Sequence, residues 1–110
     1  MWNKFCSVLA VSIFCVLPFS ASAGDGAGKV IQVIAHSHDV VFFTLDGPHT
    51  NAPACSSTPW SLSLTTNSGR AQYALLLSAV AQGKAVTVHG TGDCSAWGDR
   101  ETAEYVLIDN

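Results

Sequence analysis

Two short polar segments concentrate the side chains able to do chemistry: HSHD, His36–Asp39, and HGTGDCSAWGDRE, His89–Glu101. His36, His38 and Asp39 are residue types that bind zinc or copper, and a His-x-His spacing sets both rings on one side of an extended chain. Polar residues are equally what a hairpin turn requires. His49 and His89 are remote in sequence, so no metal is assigned. Gly90-Thr91-Gly92 resembles part of a phosphate loop, but such a loop opens a helix and carries a lysine at a fixed offset. Here Asp93 follows at once and repels an anion. Asp93, Asp99 and Glu101 are acids of the kind used in pairs for proton transfer. Nothing in their spacing sets two of them across a cleft, and the sequence shows no Ser-His-Asp order or nucleophile elbow. Catalytic residues and cofactors are accordingly not expected. Trp97 beside Asp99 remains: an exposed indole offers a flat apolar face, and carboxylates accept hydrogen bonds from hydroxyls. That pairing suits a sugar or a peptide. The competing reading is that Trp60 and Trp97 lie over a disulfide and complete a small core.

Five strand-type runs and one helical run must hold these segments. Lys29–Ala35 (KVIQVIA) and Val40–Leu45 (VVFFTL) are β-branched and aromatic, and HSHD joins them as a hairpin. Asp46–Pro59 is a long loop rich in Gly, Pro, Asn and Ser that holds Cys55. Trp60–Thr66 (WSLSLTT) alternates, with Trp60, Leu62 and Leu64 on one face. Asn67 or Ser68 is placed to cap a helix that ends at Gly83. Its expected buried face is Tyr73, Leu76, Leu77 and Val80; Leu75 lies on the opposite face of small residues, a candidate subunit contact. Lys84–His89 (KAVTVH) and Glu104–Ile108 (EYVLI) supply the last two strands. This order predicts a mainly β fold, a small five-stranded OB-fold-like barrel with one helix (β-β-β-α-β-β). Ligands of that fold meet the face of strands 2 and 3, flanked by the 1–2 and 4–5 loops. HSHD is the first of those loops and the second segment supplies the other. The expected binding rim is therefore His36, His38, Asp39, Trp97 and Asp99.

The ends and the composition place this domain outside the cytoplasm. Lys4 precedes an apolar run from Phe5 to Leu17, Pro18 breaks it, and Ala21-Ser22-Ala23 has the small residues a signal peptidase reads. The run is too short to cross about 30 Å of hydrocarbon. Residues 1–23 are read as a cleaved signal peptide, 24–28 as a flexible leader, and 29–110 as one domain in the periplasm or secreted. Cleavage removes Cys6 and Cys15, so Cys55 and Cys94 remain and most simply pair. Such a bridge closes a loop of about 40 residues, about 4 kcal/mol in the chain-entropy account. Lys29, Arg70, Lys84 and Arg100 stand against eight carboxylates with no basic cluster. That balance disfavours nucleic acid and anionic membrane surfaces as partners, and no membrane insertion is expected.

The stretches GKVIQVIAHSHDVVFF, ACSSTPW and YALLLSAVAQGKAVTVHG, from about Gly28 to Gly90, resemble the B subunits of AB-type bacterial toxins, in particular the subtilase cytotoxin and typhoid toxin group. The resemblance implies an exported OB-fold, a homopentameric ring, a glycan ligand on host cells and an enzymatic A subunit as partner. Two departures stand out. The family pairs the cysteine matching Cys55 with one on strand 2, where this chain has Phe43 and Thr44. The family's glycan-contacting serine falls on Ala27, so no particular sugar is implied. The expectation is a non-catalytic binding module for a glycan or a protein partner. Its rivals are a small metal- or carboxylate-dependent enzyme of the cell envelope and a monomeric periplasmic inhibitor or structural protein.

Overall fold

Short β-branched and aromatic runs separated by turn residues become strands of one curled sheet. The computed structural model describes residues 22–109; the expected signal segment lies outside them apart from Ser22 and Ala23. The elements are β1 (Asp25–Gly28), β2 (Val30–His36), β3 (Val40–Leu45), β4 (His49–Thr50), β5 (Ser57–Ser63), α1 (Asn67–Gln82), β6 (Val86–Gly90) and β7 (Arg100–Ile108). Their order across the sheet is β2-β3-β5-β7-β6-β1-β4. Neighbours are antiparallel except β5 and β7, which run parallel.

The reading of residues 24–28 as a flexible leader is corrected. Asp25–Gly28 form β1, which pairs with β6 from Asp25↔His89 to Gly28↔Val86. Only Lys29 separates β1 from β2, and β2 pairs with β3. One long bent strand thus touches both sides of the sheet and curls it into the expected OB-like barrel, with β3, β5, β6 and β7 as the other four strands. The bend sits at Gly28, whose φ of 142° is open to glycine and strained for other residues. Beyond it the Lys29 N–H donates to Asp46 Oδ1 at 2.9 Å. The core inside the curl comprises Val41, Phe43, Leu45, Trp60, Leu62, Leu76, Ala79, Val86, Val88, Ala103 and Val106.

Helix α1 closes one end of the barrel. Its cap is Thr66, whose Oγ1 accepts the Gly69 N–H at 3.0 Å, rather than Asn67 or Ser68. It ends as expected at a left-handed Gly83. The seated face also differs: Gly69, Leu76 and Ala79 are buried and Tyr73 packs against the core, whereas Leu77 and Val80 are 43% and 46% exposed. Small residues decide the seating. A side chain at Gly69 would run into the Ser63 carbonyl, so only glycine lets the first turn approach β5. Among the described residues no helix is long and apolar enough to cross a membrane.

The polar connections have more order than their composition predicts. β4 lies inside the long loop, and β5 starts at Ser57, before Trp60. The last strand starts at Arg100, not Glu104, and a bulge interrupts it: His89 pairs with Tyr105 but Gly90 with Ala103. The extra residue flips the alternation, so Glu101 and Ala103 face inward on one side of it and Val106 on the other. Cys55 and Cys94 form a disulfide with Cα atoms 6.3 Å apart, tying the loop before β5 to the loop before β7.

Candidate functional site

The two polar loops meet over the outer face of β3. His36 ends β2 and Val40 starts β3 as its partner, so Ser37, His38 and Asp39 form a three-residue hairpin loop. The Asp39 N–H closes the turn on the His36 carbonyl at 3.2 Å. Asp39 has φ 61°, the left-handed corner such loops need and a conformation aspartate tolerates. Its carbonyl accepts the Leu64 N–H at 2.7 Å, so the fold uses its backbone and leaves its side chain exposed. On the other loop, Trp97 and Arg100 pair across Gly98 and Asp99, with the Arg100 N–H on the Trp97 carbonyl at 3.1 Å. Residues paired this way project to one side, and both side chains come down on Phe42.

Phe42 points outward from β3 yet is only 7% exposed. Trp97 stands edge-on to it at 5.2 Å between ring centroids, and the Arg100 guanidinium lies over its ring at 4.3 Å. His36 is 4.9 Å from Trp97 and 5.8 Å from Phe42; His38 stacks on His36 at 5.0 Å and lies 6.0 Å from Trp97. Asp99 pairs with the Arg100 Nη1 and keeps its carboxylate mostly exposed, while its carbonyl accepts both the N–H and the hydroxyl of Ser57. His36, His38 and Trp97 are therefore in mutual contact, and Asp99 reaches them through Arg100. Phe42 and Arg100 belong to this cluster and were not singled out from sequence. An apolar residue at an outward position of a strand opposite two aromatic loops is the signal that points to Phe42. His36 Nδ1 accepts the His38 N–H at 3.2 Å, which occupies a lone pair that a metal would use.

The three acids of the second segment have separate partners. Asp93 accepts the Thr91 hydroxyl at 2.9 Å and the Ser95 N–H at 3.2 Å. Hydrogen bonds from the Ser95 and Thr91 side chains and the Ser95 backbone hold its carboxyl below the usual aspartate value, against a small opposing effect of burial. Glu101, one of the three acids of a loop that reads as polar, is fully buried. Its Oε2 takes the N–H groups of Gly24 and Gly92, each at 2.9 Å, and its Oε1 lies 2.7 Å from His49 Nε2. The His49 ring stacks on Trp60 at 3.7 Å, and its Nδ1 lies 2.8 Å from the Thr58 carbonyl. A carbonyl can only accept, so Nδ1 carries a proton. A Cβ at Gly90 would occupy the place of the Glu101 carboxylate. Trp60 is thus a core residue, 1% exposed, whereas Trp97 is half-buried at the surface.

A hollow of about 420 Å³ lies between the first turn of α1 and the 91–96 loop, lined by Thr66, Ser68, Gln72, Thr91, Ser95 and Thr102 among others. It contains none of the expected rim residues. No protein-family model, no curated protein and no solved structure matches the chain.

Proposed function

We propose that this chain is an exported, non-catalytic binding module that holds a carbohydrate at the His36–His38–Trp97 face, with Asp39 and Asp99 at its margin. One observation carries the reading: two loops distant in sequence place an indole and two imidazoles in contact on the outer face of β3, the face on which barrels of this type take ligands. The rings offer flat apolar surface for the C–H face of a sugar, and exposed carboxylates beside them accept hydroxyls. The site is prepared in advance. Phe42 and Arg100 buttress Trp97, the disulfide tethers its loop, and an ordered loop loses less entropy on binding. Each acid of the second segment is engaged separately, which supports binding over paired-carboxylate catalysis.

The test is a glycan array probed with the purified domain, followed by calorimetry on the best sugar. Trp97→Ala is expected to weaken that sugar by about tenfold or more, the ordinary effect of removing a central aromatic anchor, and Asp39→Ala to weaken it less. Unchanged affinity in both variants, or an array with no sugar bound, overturns the carbohydrate reading.

Assembly with further copies of the chain belongs to the same proposal. β2 is an edge strand exposing Ile31 and Ile34, and α1 exposes Leu75, Leu77 and Val80. Apolar side chains on an open strand edge and on a helix beyond its seated face suit a second copy. The candidate contact thereby widens from Leu75 to its neighbours. An enzymatic A subunit, if one exists, would dock on the assembled ring.

A further inference from the structure

Gly24 is buried, and its nitrogen lies 2.9 Å from Glu101 Oε2. The residues before it lead outward: Ala23 is half-buried and Ser22 is exposed, with its hydroxyl on the Asn51 carbonyl at 3.0 Å. Ala21-Ser22-Ala23 is the small-residue pattern after which a signal peptidase cuts. The bond such a cut breaks is the one whose nitrogen already rests on Glu101.

We propose that processing after Ala23 makes this nitrogen the α-ammonium of the mature chain and that Glu101 is its built-in receptor. The inference rests on the exported reading above. In the step, water adds across the Ala23–Gly24 amide under a signal peptidase. Its oxygen completes the Ala23 carboxylate, which leaves with the signal segment, and its protons go to the Gly24 nitrogen as ammonium. The donor facing the carboxylate changes from a neutral amide to a cation, so the hydrogen bond becomes an ion pair.

The surroundings fit that occupant. Position 24 admits no side chain, since a Cβ would run onto Glu101 Oε1 and lie 2.8 Å from His49 Nε2. The receptor is fixed independently of the ammonium, because the Gly92 N–H holds Oε2 and His49 holds Oε1. The Gly24 carbonyl accepts the Gly90 N–H at 2.8 Å, so the first mature residue is held at both its nitrogen and its oxygen. The nearest competing carboxylate in sequence, Asp25, is exposed and engaged with His89 at 2.7 Å. Glu101 therefore ties the new end of the chain to β4 through His49 and to the ligand loop through Gly92.

The full chain is expressed with export, and the processed protein is purified for two measurements. Intact mass is expected to give Gly24 as the first residue. The α-amine is then acylated at neutral pH and read in the N-terminal peptide, normalised to Lys29 in the same protein. Folded protein is expected to react about tenfold or more slowly than protein in urea, since an amine held on Glu101 reacts only when that site opens. Glu101→Gln is expected to remove most of that protection while the domain stays folded. If that variant does not fold, the wild-type ratio decides alone. A start other than Gly24, or no processing, overturns both the export reading and this inference. A Gly24 start with equal folded and unfolded reactivity overturns the inference alone.

Discussion

Glu101 shows how much one residue can organise in a domain of this size. Its side chain accepts from two backbone N–H groups and contacts His49, its own N–H donates to Ser56 Oγ at 2.8 Å, and its carbonyl accepts the Ser61 hydroxyl at 3.2 Å. Glu101→Leu leaves the Gly24 and Gly92 donors buried without an acceptor and removes the partner of His49 Nε2. The expected loss is about 3 kcal/mol or more of unfolding free energy, because stranded buried partners keep their full desolvation cost. Urea denaturation of wild type and variant measures it, and a loss below about 1 kcal/mol would show the cage to be incidental. The sequence hid this residue for a physical reason. An acid after Gly-rich, polar residues reads as solvated, and an alternation counted back from Val106 without the bulge opposite His89–Gly90 would have turned Glu101 outward. The contact among His36, His38 and Trp97 was legible because aromatic residues in two loops of a known strand order have few places to go. Phe42 was not, since VVFFTL is apolar on both faces and gives no sign of which side is covered by a loop.

At the scale of elements, the devices that hold the loop from Thr91 to Asp99 include the disulfide, the Trp97–Arg100 turn and the hydrogen bonds to Asp93. Replacing both cysteines by alanine is expected to cost about 3–4 kcal/mol, the chain-entropy value for a loop of this length, and to shift Trp97 fluorescence toward that of a solvated indole. Unaltered emission would mean that the turn alone positions the ring. Asp93 adds a pH dependence whose sign follows from its lowered pKa. A carboxylate easier to ionise in the folded chain than in the unfolded one stabilises the fold above its ordinary range, and that contribution disappears as pH falls through the lowered value. Wild type should therefore loosen around residues 91–95 in acid relative to Asp93→Asn, which lacks the titration. Amide exchange of Ser95 in the two proteins tests this, and parallel pH profiles would refute it. The helix teaches a related lesson. Leu77 and Val80 have the right spacing and the wrong size: Gly69 and Ala79 set the close approach, and the large residues turn outward.

For the whole molecule, the barrel order was legible because each strand-type run and the helix announce themselves by composition. Closure was not. It depends on Asp25–Gly28, which has no hydrophobic period and joins the sheet through backbone pairing to β6 and β4. What the curled sheet leaves uncovered is a matter of side chains. Ile31 is 64% exposed and Ile34 42%, on an edge strand, with Leu77 and Val80 exposed on the helix. A monomer of this length gains nothing from holding those residues in water, whereas a copy covering them recovers apolar burial at about 25 cal/mol per Å². The expected result is a solution mass several times that of one chain at micromolar concentration. The double change Leu77→Lys with Val80→Lys should shift it toward monomer while leaving the circular dichroism of the folded domain unchanged, because neither side chain is in the core cluster. Ile31→Lys tests the strand edge separately. If only the edge variant dissociates the assembly, β2 pairing rather than helix packing holds it together; if wild type is itself a monomer by sedimentation, the exposed apolar residues have another occupant and the ring is wrong.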